Sequence, residues 1–276
     1  LLLFSCKLFK DNIESAISPA LGIELFHNFT LLHDDIMDNA SLRRGHMTVH
    51  KKWNDNTAIL SGDAMLVKSY QLITSVEVKY VKDVLNVFNI AAINVCEGQQ
   101  LDLDYESDTN VTISSYLKMI EYKTAVLLAA SLKMGSIIGG ASITDQDLLY
   151  QFGKNIGIAF QLKDDLLDVF GDSKNFGKEI GGDIMKNKKT YLYLKALELA
   201  NKDQKKELIE RFSSIDVSVE KINAVKSIFE DLNIDKLTAD LVREYHNKAI
   251  QNLNSVDSTK KDNLIHIANQ LLDRIN

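Results

Sequence analysis

Proline is nearly missing from this 276-residue chain; Pro19 is the single example. A fold of many short strands, or a chain with a proline-rich linker, would need more, so long helices are expected instead. Cysteine is scarce as well. Cys6 and Cys96 are the only two, too few for a disulfide scaffold or a thiolate metal site, and they point to a reducing, cytoplasmic setting. Basic charge is not in excess: 32 Lys and Arg stand against 38 Asp and Glu, a formal net charge of -6. That balance argues against a nucleic-acid binder. The longest apolar stretches are interrupted by Glu24, His27 and His33, or by Lys123 and Lys133, so none reads as a membrane span and an integral membrane protein is not expected. The opening LLLFSCKLFK has no basic leader and no small-residue cleavage site, so it reads as a chain entered partway through a helix and not as a signal peptide. With no repeat of about 20–50 residues and no low-complexity run, residues 1–276 are expected to form one all-α domain.

What is present is helical texture with deliberate punctuation. Ser18 before Pro19 reads as an N-cap and first helical position, opening a helix that runs to about Asp38 and is apolar around most of its girth. Thr144 with Asp147 reads as the cap of a second helix through QLKDDLLDVF, stopped at Gly171. Between them a third helical segment starts at the Ser114–Ser115 pair and ends at Gly139 and Gly140. The stretch 171–190 is rich in glycine and lysine and reads as an exposed loop. Beyond Tyr191, leucine and isoleucine alternate with lysine and glutamate at helical spacing, the pattern of packing scaffold.

Chemistry concentrates at the ends of the first two helices. Asp34, Asp35 and Asp38 form a DDxxD pattern, and Asp164, Asp165 and Asp168 repeat it 130 residues later. Residues i and i+4 share a helix face, so the outer aspartates of each motif project together, about 6 Å apart along the axis. Adjacent carboxylates repel, and a hard divalent cation removes the conflict. Oxygen donors without Cys or paired His suit Mg²⁺, which takes one or two carboxylates and completes its shell with water and phosphate oxygens. The doubled motif therefore implies two acidic banks gripping a phosphorylated ligand through metal.

Cations accompany the acids. Arg43 and Arg44 follow the first bank in a turn-like segment and can face two different phosphates, or pair with the neighbouring aspartates. Lys123 lies among apolar neighbours in YKTAVLLAA, either snorkelling to solvent or pointing into an anion-binding cavity, with Thr124 adding a hydroxyl. GDSKNFGKE falls short of a phosphate-binding P-loop, since five residues separate Gly171 from Gly177 and Glu179 follows Lys178. Lys178 and Lys188 stand as candidate phosphate contacts on that loop.

HDDIMD, RRGHMTVH, GDAML, EGQQLDLDYE, YKTA, FQLKDDLLD and GKEIGGDI together resemble the trans-isoprenyl diphosphate synthases, or polyprenyl synthetases. The resemblance covers most of the chain. It implies a bundle of long helices around a central deep cavity with both acidic motifs at its mouth. It implies Asp34, Asp38 and Asp164 as Mg²⁺ ligands, with Asp35, Asp165 and Asp168 as ligands or supports. Arg43, Lys123, Gln161 and Lys178 would hold an allylic diphosphate, Lys188 would add a further basic contact, and Arg44 would meet isopentenyl diphosphate. Thr124, Gln161 and carbonyls near Lys123 would stabilise the allylic cation. A homodimer is also implied.

Two departures from the family pattern stand out. Its Gly-Lys-Arg stretch would precede the first residue here, and Asn187 occupies a loop position where the family often has glycine. Phe29 lies five positions before Asp34 and Phe26 eight before it, on one helix face. By the same resemblance an aromatic at the fifth position limits elongation, so a farnesyl or geranylgeranyl product is expected. Two competing readings are a class I terpene cyclase, which would carry an Asn/Asp, Ser/Thr, Glu triad as its second motif, and a non-catalytic partner subunit, which need not keep both acidic banks.

Overall fold

The computed structural model describes residues 1–171, 181–214 and 218–272. These are helical almost throughout; the described strands are β1 (Leu42–Arg43) and β2 (His46–Met47), a small antiparallel hairpin. The helices are α1 (Leu2–Lys7), α2 (Glu14–Met37), α3 (Val49–Lys52), α4 (Asp55–Ile73), α5 (Val78–Ser107), α6 (Ile113–Ile120), α7 (Val126–Gly139) and α8 (Ile143–Phe170). There follow α9 (Gly182–Met185), α10 (Tyr191–Leu199), α11 (Lys202–Phe212), α12 (Val219–Asp231), α13 (Ile234–Ser255) and α14 (Asp262–Leu272). Among the described residues no helix is long and apolar enough to cross a membrane.

The chain forms two compact units, residues 1–92, 128–150 and 255–264 in one, and 93–127, 151–254 and 265–276 in the other. In the first, α2 lies along α4, and Phe26, Ile73, Phe88, Met134, Ile138 and Leu149 are buried. In the second, Tyr116, Ile120, Leu162, Leu192, Val225 and Phe229 belong to one apolar core drawn from α6, α8, α10 and α12. Both cores follow from helices whose apolar residues recur on the inward face.

Local signals placed the helices but misjudged some ends. α2 begins at Glu14, not at Pro19; its N-cap Ile13 makes no side-chain cap bond, and just ahead of it Asn12 Oδ1 accepts the Glu14 amide at 2.9 Å, turning the chain into the helix before Ser18 is reached. Pro19 is buried inside the helix. α8 is capped by Ser142, whose hydroxyl accepts the Asp145 amide at 3.1 Å and donates to Asp145 Oδ2 at 2.7 Å. This is the Thr144–Asp147 spacing realised two residues upstream. Thr112 likewise caps α6 ahead of the serine pair, accepting the Ser115 amide at 3.1 Å. The third segment is not one uniform helix either, since Glu121–Ala125 form a π-helical turn between α6 and α7. Within the expected exposed loop, α9 forms and buries Ile184.

Candidate active site

The first acidic bank sits on the last turn of α2. Asp35 is buried (5% exposed), whereas Asp34 and Asp38 remain partly accessible. Arg43 donates from Nε to both Asp35 oxygens at 2.8 Å, and its Nη2 reaches Asp34 Oδ2 at 3.2 Å. It can do so because Arg44 and Gly45 both adopt positive φ (52° and 77°), closing the hairpin with the two-residue turn that suits strand twist. Arg43 thereby turns back to the acids and Arg44 stays exposed at the tip. Burial disfavours the Arg43 charge, but Asp35, Asp34 and Asp38 outweigh it and raise its pKa. His27, seven positions before Asp34, is half-buried; burial is the main cause lowering its pKa, and Glu24, Arg44 and Arg43 also act on it.

The second bank repeats this division of labour on α8. Asp165 is buried (5% exposed), while Asp164 and Asp168 are partly accessible. The Tyr116 hydroxyl donates to Asp165 Oδ2, and Gln161 Nε2 donates to Oδ1 at 2.9 Å. Thr124 Oγ1 donates to Gln161 Oε1 at 3.2 Å, which orients that amide. Burial, followed by the nearby Asp183, pushes the Asp165 pKa up to about 8, against the opposing pull of those hydrogen bonds. Burial and then Asp165 raise the Tyr116 pKa well above its usual value. Asp168 Oδ2 accepts the Asp183 amide at 2.9 Å and so anchors the start of α9.

Beside this bank, the π-helical turn carries Lys123 and Thr124. Such turns widen the backbone spiral and recur at functional sites. Lys123 Nζ donates to Asp102 Oδ2 at 2.6 Å, and Lys188 Nζ lies 3.8 Å from the same oxygen. Burial disfavours the Asp102 charge, but Lys123 and Lys188 prevail and lower its pKa. Gly98, one turn before Asp102 on α5, lets the turn approach closely: a Cβ there would lie 2.3 Å from the Lys123 amide nitrogen. Lys178 lies outside the described residues.

Each bank thus has one carboxylate locked by protein donors and two nearer the solvent. Among the described residues no three His, Cys, Asp or Glu side chains converge to cage an ion. The donor set nevertheless fits Mg²⁺, which needs few protein oxygens and completes its shell from water and phosphate. The burial that chiefly raises the Asp165 pKa, with the charge of Asp183 behind it, is the kind of cost a nearby divalent cation offsets.

A family model described as Polyprenyl synthetase matches residues 1–261. The chain belongs to the polyprenyl synthetase family. It is 38% identical to a short chain isoprenyl diphosphate synthase of Methanocaldococcus jannaschii, over 80% of this chain and 68% of that one. With a geranylgeranyl diphosphate synthase of Methanosarcina mazei it shares 35% identity over 99% of this chain and 83% of that one. A crystal structure of a geranylgeranyl pyrophosphate synthase superposes with a TM-score of 0.94 at 44% identity, covering 100% of this chain and 86% of the other. The all-α architecture of this polyprenyl synthetase is that of the prenyl synthases.

In this polyprenyl synthetase the aromatic residues before Asp34 are buried. The Phe26 and Phe29 rings lie 5.5 Å apart, Phe26 meets Phe88 edge-on at 5.1 Å, and Phe29 meets His33 at 4.7 Å. The cluster extends to Tyr70, 5.0 Å from Phe88. Sequence reasoning did not single out Asp102, Tyr116, Asp183, His27 or Phe88. His27 had a usable signal, the i, i+7 spacing that puts it on the face of Asp34. Asp102 lay within a quoted motif without a partner to give it a role.

Proposed function

We propose that this polyprenyl synthetase is a Mg²⁺-dependent trans-prenyltransferase. It joins isopentenyl diphosphate to an allylic diphosphate (dimethylallyl, geranyl or farnesyl) and releases diphosphate. The observation that carries this reading is the twice-built acidic bank, one aspartate buried on hydrogen-bond donors and the outer pair accessible. Bound to those outer carboxylates, Mg²⁺ supplies charge stabilisation for the departing diphosphate. Lys123 and Lys188, with Lys178, are the proposed contacts to the allylic diphosphate beside the second bank, Arg43 is the proposed basic partner of the first bank, and Arg44 with His27 is proposed to meet isopentenyl diphosphate. The allylic C–O bond breaks, the double bond of isopentenyl diphosphate forms the new C–C bond, and a proton leaves to the released diphosphate. The Thr124 hydroxyl, the Gln161 side chain and the carbonyls of the π-helical turn present negative dipole ends to the allylic cation, while apolar walls exclude water.

The test is incubation of the protein with Mg²⁺, isopentenyl diphosphate and each allylic primer, with products identified by mass spectrometry. Linear farnesyl or geranylgeranyl diphosphate is the expected outcome, and the names of the relatives favour the longer. Cyclic hydrocarbons, or no turnover, would overturn the reading. No relative named above is a cyclase.

Phe29 is the proposed floor under the growing tail. Phe29→Ala is expected to shift products to longer chains and to destabilise the protein by about 3 kcal/mol, as for other buried aromatics. An unchanged product distribution would remove the floor assignment. A homodimer is also proposed, supported by Leu60 and Val67 on α4 and Ile90 on α5, large apolar residues left exposed in one chain. Leu60→Glu with Val67→Glu is expected to halve the mass seen by analytical ultracentrifugation; an unchanged mass would place any interface elsewhere.

A further inference from the structure

Asn187 ends α9 in a left-handed conformation (φ 57°). Its amide bonds to the Ile184 carbonyl at 3.2 Å and the Lys188 amide to the Asp183 carbonyl at 2.9 Å, the two reverse bonds of a Schellman cap. Glycine suits that position, and asparagine is among the few other residues that reach it at low cost. Here the side chain adds something glycine lacks. Asn187 Nδ2 donates to the Ser214 carbonyl at 3.0 Å, while its Oδ1 accepts Lys221 Nζ at 2.6 Å. Lys221 is completely buried (0% exposed) on α12, and its ammonium also reaches the Ser214 carbonyl at 3.3 Å. The turn that launches the next residues is therefore held from two sides by the scaffold.

Those next residues are Lys188, 3.8 Å from Asp102, and Lys189, which donates to the Tyr105 and Glu106 carbonyls at 2.6 and 2.9 Å. We propose that Asn187, clamped by Lys221 and Ser214, is a positioning residue that aims Lys188 at the diphosphate of the allylic substrate. The inference rests on the function proposed above. A long, flexible lysine gains binding strength when the backbone that carries it is fixed, since less freedom is lost on engaging the ligand. A free Schellman turn with glycine would keep the path of the chain and lose the clamp.

The test compares wild type, Asn187→Gly, Lys188→Ala and the double variant. KM for the allylic diphosphate and kcat are measured, together with calorimetric binding of inorganic diphosphate in the presence of Mg²⁺ and thermal melting. Asn187→Gly is expected to raise KM and weaken diphosphate binding about tenfold, as for one loosened charge-assisted contact, with kcat nearly unchanged. In the Lys188→Ala background it is expected to have no further effect, because the residue acts through Lys188. Wild-type KM and diphosphate affinity in Asn187→Gly would overturn the inference. So would the same fold-loss in both backgrounds, which marks a merely structural residue. A wild type that fails to turn over substrate counts against the proposed function instead, and the diphosphate-binding comparison still decides the role of Asn187.

Discussion

Asp34→Ala is expected to lower kcat/KM by roughly 10³-fold while leaving the fold intact, and chelation of Mg²⁺ in the wild type is expected to abolish turnover. The two effects are separable from instability because of where Asp34 sits. It is partly accessible, and Arg43 remains anchored through two 2.8 Å bonds to the buried Asp35 after Asp34 is removed. The melting temperature should therefore change little, as for surface substitutions generally. Asp35→Ala should behave differently: it leaves Arg43 half-buried without its main partner, so stability falls along with activity. Steady-state kinetics and thermal melts on both variants make the comparison. Normal turnover by Asp34→Ala would end the assignment of the first bank to substrate binding.

Gly98→Ala should damage both stability and catalysis through one added methyl. Its Cβ would lie 2.3 Å from the Lys123 nitrogen and 2.7 Å from Lys123 Cα and the Tyr122 carbonyl carbon. All three are backbone atoms, so no side chain can swing aside. The π-helical turn and α5 must separate, at a cost of about 3 kcal/mol or more and a fall in Tm of roughly 5–10 °C. The separation also pulls Lys123 from its 2.6 Å contact with Asp102 and shifts the Thr124 hydroxyl from Gln161. Misplacement on the scale of 1 Å lowers rates by about 10²-fold. Calorimetry and kcat measured on the purified variant check both parts. Wild-type values for both would rule out the close apposition of α5 and the turn.

The two DDxxD motifs were legible because helix geometry is local: i, i+1 and i+4 project together in whatever fold the helix joins. The apolar run before Asp34 was legible for the same reason, whereas the arginine pair was legible as residues only, since the hairpin that turns Arg43 back to the acids is not a helix. Helix starts were less so, because several nearby polar residues can cap the same segment. Ser142 caps α8 ahead of Thr144, and α2 starts beside Asn12, ahead of Ser18. The π-helical turn left no mark in composition. It sets Lys123 against Asp102 and Thr124 against Gln161 through an extra residue in the spiral, and no spacing rule announces that.

The sequence by itself determined that this is a helical polyprenyl synthetase and which helix ends carry its acids. Only the tertiary structure decided that Asp35 and Asp165 are the locked members of their banks, and that Asp102 gathers Lys123 and Lys188. The physical reason is distance along the chain. Tyr116 meets Asp165 across 49 positions and Lys123 meets Asp102 across 21, so burial and pairing there depend on how helices pack and not on any pattern within one of them.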